Sequence, residues 1–150
     1  MKIESFSEKD TFELGKKLGE KVRPGQICTL DGDLGVGKTV FTKGLARGLG
    51  ITEPVSSPTF TIVQEYEGGR LPLYHFDVYR IEDPEEMEEI GCDDYFYGNG
   101  VCLIEWAEKI RDLLPDGLIR ITIEKQLEKG FDYRVITLEG MEEEDEITGD

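Results

Sequence analysis

Long apolar runs are missing from this chain: no stretch approaches the 18 or so residues a membrane helix needs. The first residues, Met1-Lys2-Ile3-Glu4-Ser5, contain no apolar h-region, so no secretory leader is expected. Cysteine occurs three times, at Cys28, Cys92 and Cys102, with no C-x-x-C pair. That pattern suggests neither a zinc site nor a disulfide framework, and predicts reduced, mostly buried thiols in a cytoplasmic protein. Basic residues are scarce: 17 Lys and Arg stand against 33 Asp and Glu, for a formal charge of −16. Residues 142–150 hold six of the acids and no base, which leaves about −10 on the body. Such a body is repelled by nucleic-acid phosphates, so a partner would make most of any RNA contact. Solubility alone is the blander reading of the charge. Asparagine occurs once, as Asn99 before a glycine, and no D-x-x-G is present. A guanine-reading N-K-x-D is therefore impossible and a standard GTPase is disfavoured, which makes ATP the better nucleotide.

What is present is a glycine-rich loop. Gly32-Asp33-Leu34-Gly35-Val36-Gly37-Lys38-Thr39 has the spacing G-x-x-x-x-G-K-[ST] of a P-loop. Successive backbone N–H groups of such a loop wrap a phosphate chain, and glycines let the backbone come that close. Lys38 would reach the β- and γ-phosphates, and the Thr39 hydroxyl would ligate Mg²⁺. The context agrees. Ile27-Cys28-Thr29-Leu30 reads as a strand, and after Val40 the residues Phe41, Leu45 and Leu49 form a helical stripe ending at Gly50. A helix N-terminus at this point favours anions.

The rest of the chain reads as one α/β domain over 1–141, with an acidic tail at 142–150 expected to be disordered. A helix is expected over 5–22, with Ser7 as N-cap and Asp10 three residues on. A loop with two prolines, 52–58, precedes strands over 59–67 and 71–80, joined at Gly68-Gly69-Arg70 as a hairpin. Asp83-Pro84-Glu85-Glu86 begins a short helix that Gly91 ends. A loop follows over 93–100. Val101 to Ile104 reads as a strand buried on both faces. A helix over 106–114, a strand over 118–125 and a last strand over 131–138 complete the chain. The fold class is a P-loop NTPase-like three-layer sandwich, with a mostly parallel sheet, an antiparallel hairpin and helices on both faces.

A P-loop needs an acidic partner at the carboxyl end of a neighbouring buried strand. Glu105 follows the apolar run 101–104 directly and is the first candidate for the metal. Asp77 is the second. Alternation puts His75, Asp77 and Tyr79 on one strand face and Tyr74, Phe76 and Val78 on the other. Asp77 could instead pair with Arg80 or His75. His75, the only histidine, reads as a hydrogen-bonded structural residue. Trp106 could stack on nucleotide or partner, or pack in the core. Ser56, Ser57, Thr59 and Thr61 could sense a γ-phosphate or satisfy loop backbone. Arg80 could stabilise transition-state charge or be structural. A small-molecule kinase would need an arginine-bearing lid, and the seven arginines are scattered singly. A nucleotide-dependent binding module without significant hydrolysis is the other alternative.

Five segments in order, G-D-L-G-V-G-K-T, V-S-S-P-T-F-T-I-V-Q-E-Y, L-Y-H-F-D-V-Y-R, D-P-E-E-M-E-E-I-G and V-C-L-I-E-W, resemble the TsaE (YjeE) family over nearly the whole chain except the tail. The resemblance implies a bacterial cytoplasmic P-loop ATPase, weak alone, that serves formation of N6-threonylcarbamoyladenosine at position 37 of tRNA. It implies binding to the TsaB–TsaD heterodimer, ATP hydrolysis that supports repeated turnover, and contact with tRNA only through that complex. Residue by residue, Gly32 to Thr39 is similar to the phosphate-binding loop, and Thr39 and Glu105 to the Mg²⁺ ligands. Asp77 is similar to an acid used in hydrolysis, Trp106 to the neighbour of the metal acid, and Ser57-Pro58-Thr59 to a switch-like loop. Thr11 and Arg134 are similar to positions flanking the nucleotide base. Val36 departs from the pattern, standing where small residues such as alanine are usual.

Overall fold

The chain is seen as a computed structural model that describes residues 1–33, 35–56, 58 and 62–141. Its seven strands are β1 (Lys2–Ser5), β2 (Ile27–Asp31), β3 (Val63–Tyr66), β4 (Leu73–Asp77), β5 (Val101–Glu105), β6 (Ile119–Lys125) and β7 (Arg134–Glu139). They form one sheet in the order β1-β7-β6-β2-β5-β4-β3. The central four, β4-β5-β2-β6, run parallel. The expected hairpin is there: β3 pairs antiparallel with β4, Val63 opposite Phe76. The other edge is antiparallel too, through β7 on β6 and β1 on β7.

Two cores follow from alternation along the buried strands. Cys28, Leu30, Leu73, Val101 and Leu103 face helices α1 (Glu8–Lys21) and α2 (Lys38–Gly48), meeting Leu14, Leu18, Phe41, Leu45 and Leu49. Ile27, Phe76, Cys102 and Ile104 face the opposite way, onto Met87 of α3 (Glu85–Glu89) and Phe96 of α4 (Cys92–Phe96). Helices thus cover both faces, and the architecture is the three-layer α/β sandwich of a P-loop NTPase-like fold. Among the described residues no helix is long and apolar enough to cross a membrane. All three cysteines are free and buried. Burial pushes the Cys28 and Cys102 thiols up to about 12.

The two large helices touch backbone to backbone. A Cβ on Gly15 or Gly19 of α1 would overlap the carbonyl oxygens of Phe41 or Leu45, and one on Gly44 or Gly48 of α2 those of Phe12 or Lys16. Two G-x-x-x-G pairs, one per helix, therefore set the spacing of α1 against α2. That close approach carries Thr11 of α1 to the glycine loop at the start of α2.

Several segments differ from the sequence reading. Residues 2–5 form β1, whose partner is at the far end of the chain, and the helix starts at Glu8. Its cap is as expected: Ser7 Oγ accepts from Asp10 N at 3.1 Å, and Asp10 Oδ2 accepts from Phe6 N at 3.0 Å. At α3 the helix itself starts at Glu85, yet Asp83 Oδ1 accepts from Glu85 N and Glu86 Oε2 from Asp83 N, the chemistry of a capping box. The expected loop at 93–100 begins with α4, which Gly91 in the left-handed region (φ 72°) allows to turn off α3. The expected helix after Trp106 is a kinked 3₁₀ segment, Ala107–Leu113. It begins from a left-handed Trp106 and breaks at Ile110 (φ −127°), and Pro115 holds Leu114 extended. The last strand begins at Arg134, because residues 130–133 turn. Of the segments expected to be strand or loop, Ser57 and residues 59–61 lie outside the described residues, as does the tail 142–150.

Candidate functional site

The glycine loop lies where open α/β sheets bind their ligands, at the carboxyl ends of β2, β5 and β4 and the N-terminus of α2. Gly35 (φ 74°) and Gly37 (φ 115°) both have left-handed backbone, and Gly35 has open space where a Cβ would be. Gly32 could take no Cβ without striking Ile123 O and Val36 Cγ1. That side chain of Val36 is itself buried. Asp33 is exposed, Val40 half-buried, and Leu34 lies outside the described residues. Helix α1 is capped by Ser7 and carries Glu8 and Asp10 in its first turn. Helix α2 has no side-chain cap and no acid there. No acid of its own first turn offsets its N-terminal dipole, the condition that favours a bound anion.

Lys38 begins α2 and Glu105 ends β5, and the fold brings them together. Lys38 Nζ lies 3.4 Å from Glu105 Oε1, while His75 Nε2 lies 2.8 Å from Glu105 Oε2. His75 reaches Glu105 because β4 and β5 are parallel in register, with His75 opposite Leu103 and Asp77 opposite Glu105, so all four side chains share one face. Burial opposes the charge on Glu105. The hydrogen bond and charge of His75, then those of Lys38, outweigh it and hold the carboxyl below its usual value. Thr39 follows Lys38 in the first turn of α2, on its exposed side.

Asp77 ends β4 beside Glu105, but takes neither of the partners weighed for it. Its Oδ1 accepts from Tyr79 N at 3.0 Å, an Asx-type turn, while His75 is engaged by Glu105. Arg80 is exposed just beyond this turn. Of the two readings of Trp106, the structure shows the packing one. It packs against the second core and places its ring 5.3 Å from Lys38 Nζ and 4.8 Å from the ring of Tyr79. It is also the one non-glycine with positive φ, 64°, among the described residues. Backbone of that kind costs on the order of 1 kcal/mol and clusters at functional sites. Asp31, at the end of β2, is raised by burial and by Glu108, against the opposing pull of Lys38 and Arg120.

Thr11 and Arg134 come from opposite ends of the chain to the same loop. Thr11 is buried, bonds Ser5 Oγ at 2.7 Å, and lies against Gly37. Arg134 Nε donates to Val36 O at 2.8 Å, and its Nη1 is anchored on Phe131 O and Tyr133 O. Ser56 of the 52–58 loop exchanges backbone hydrogen bonds with the Tyr66 hydroxyl at 3.1 and 2.9 Å. Ser57, Thr59 and Thr61 lie outside the described residues. The residue that sequence reasoning left out of the site is His75. Strand parity put it on the correct face, but no spacing rule says that its ring takes Glu105 rather than Asp77.

Comparison with known proteins finds close relatives of this chain. Residues 5–135 match the family described as "Threonylcarbamoyl adenosine biosynthesis protein TsaE". A protein of Bacillus subtilis, "tRNA threonylcarbamoyladenosine biosynthesis protein TsaE", is 50% identical over 137 residues, 91% of this chain and 84% of the relative. Its namesake in Treponema pallidum is 45% identical over 123 residues, 82% of this chain and 90% of the relative. The crystal structure of Bacillus subtilis YdiB superposes with a TM-score of 0.78 at 45% identity, covering 92% of this chain and 83% of that one. Matched from the end of β1 to the start of β7, the chain belongs to the TsaE family.

Proposed function

We propose that this protein binds Mg-ATP, hydrolyses it slowly, and thereby sustains turnover of a TsaB–TsaD heterodimer that forms N6-threonylcarbamoyladenosine at position 37 of tRNA. Family membership and the names of the relatives support the place in tRNA modification. One observation carries the nucleotide chemistry: the P-loop lysine and the strand-end acid, 67 residues apart in sequence, meet at 3.4 Å beside an uncapped helix N-terminus.

Each residue then has a role. The backbone of 32–39 wraps the phosphates, and Lys38 swings from Glu105 to the β- and γ-phosphates. Magnesium takes few protein ligands and keeps much of its water, so one buried carboxylate beside one hydroxyl suits it. Thr39 and Glu105 would hold it, directly or through water, and when bound it neutralises charge across the phosphates. Asp77 orients water or the groups around Glu105. Trp106 walls the lysine from solvent, and Arg134 and Thr11 fix the loop on the base side. The strongly acidic body suits a protein that works beside the tRNA-binding subunits rather than gripping RNA itself.

The test is modified-tRNA yield in a reconstituted reaction with limiting TsaB and TsaD. This protein with ATP should give several modified tRNAs per TsaD, and Lys38→Ala should give no more than the reaction without it. A yield independent of this protein would refute the role. Phosphate recovered on a small acceptor would point to a kinase instead.

A further inference from the structure

We propose that His75 is a positioning residue for the acid of the site: its Nε2–H fixes the Glu105 carboxylate through Oε2, so that Oε1 is left aimed at the end of α2. The proposal rests on Glu105 being the acid that holds Mg²⁺.

The ring is 1% exposed and makes one polar contact, Nε2 to Glu105 Oε2 at 2.8 Å. An ionised carboxylate only accepts, so Nε2 is the donor in this contact. Nδ1 is buried and without a hydrogen-bond partner. An orphaned buried polar atom costs on the order of 1–3 kcal/mol, and a histidine kept only for packing or stability would have both nitrogens satisfied or be an apolar residue. What the ring supplies is direction. A glutamate has three rotatable side-chain bonds. With Oε2 tied to a ring that is itself locked in the sheet between β5 and β3, the other oxygen faces Lys38 Nζ at 3.4 Å, above the first turn of α2 where Thr39 lies. Partners that orient a metal-binding carboxylate in this way act on metal affinity rather than on the rest of ligand binding.

The test uses fluorescence titration with N-methylanthraniloyl-ADP, without Mg²⁺ and then across Mg²⁺ concentrations, on the full chain. His75→Leu removes the donor and keeps an apolar filling. Its Mg²⁺-free affinity should match the parent while the Mg²⁺ midpoint rises on the order of tenfold. His75→Gln, which returns an N–H at about the reach of Nε2, should restore the midpoint most of the way. Should His75→Leu not fold, His75→Asn, whose amide stops short of Glu105, makes the same test. An unchanged Mg²⁺ midpoint overturns the proposal. So does a loss of Mg²⁺-free affinity equal to the Mg²⁺-dependent loss, or a failure of glutamine to rescue, since either marks a packing role. Glu105→Gln separates the two levels. If it abolishes the Mg²⁺ dependence while His75→Leu leaves it intact, only the positioning role fails. If Glu105→Gln keeps the dependence, the reading of Glu105 fails and takes the positioning role with it.

Discussion

Replacing Glu105 by glutamine removes one charge from a site that is almost out of water and keeps the shape of the side chain. Glu105 is 5% exposed, with Lys38 Nζ 3.4 Å away on one oxygen and His75 Nε2 2.8 Å away on the other. Coulomb attraction at that separation is about 5 kcal/mol at an effective dielectric of 20, and desolvation of the two groups cancels much of it. A hydrogen bond to a charged group adds about 1.5–3 kcal/mol. Glutamine can accept from only one of the two donors, so a net loss of about 2 kcal/mol is expected at neutral pH, or about 4–8 °C in Tm for a chain of this size. The loss should depend on pH. Glu105 has a folded pKa below its ordinary 4.5, because the His75 and Lys38 contacts overcome burial. A carboxyl of lowered pKa stabilises the fold fully above its unfolded value, and that stabilisation fades as pH falls through the folded value. Urea denaturation of the parent and Glu105→Gln, repeated from neutral to acid pH, should therefore show a gap that closes on the acid side. A gap of constant size, or none at neutral pH, would refute the reasoning.

Three further outcomes follow from other parts of the fold. Gly44→Ala drives a methyl into Phe12 O across the α1–α2 contact, so stability in urea should fall by about 2 kcal/mol or more; an unchanged midpoint would show that the helices can part freely. Arg134→Ala removes the half-buried guanidinium that donates to Val36 O at 2.8 Å and to Phe131 O and Tyr133 O, so nucleotide affinity should drop by roughly 3- to 10-fold, and calorimetric titration that finds equal affinity would refute this role for Arg134. Cys28 and Cys102, buried and pushed up to about 12, should react with a thiol reagent at mildly alkaline pH only once the chain is denatured; rapid labelling of the native protein would contradict their burial.

What could be read from the sequence was local. Gly32 to Thr39 joins a strand to a helix within a few residues, so spacing alone predicts the turn, the lysine and the hydroxyl. Glu105 was legible because four buried apolar residues in a row mark a central strand and the acid follows it directly. The Ser7 and Asp83 caps were legible for the same local reason. What was missed depends on distant partners. β1 is four residues long and exists because β7, at the other end of the chain, pairs with it. Residues 107–113 have helical spacing, but Trp106 and Pro115 at their ends leave only a tight 3₁₀ path between them. The glycine pairs of α1 and α2 are visible as spacing, yet their meaning appears only when each helix is seen to be the other's neighbour. His75 is the same lesson at the site: alternation gives its face, and only the in-register packing of β4 on β5 gives its partner.

The most direct test of the nucleotide chemistry is the rate of phosphate release from ATP by this protein alone, then with purified TsaB and TsaD, with Lys38→Ala as control. Slow release alone, accelerated by the two partners and lost in Lys38→Ala, is the expected result. Intact ATP binding with no release in either condition would contradict it, and would make the protein a nucleotide-dependent switch rather than an ATPase.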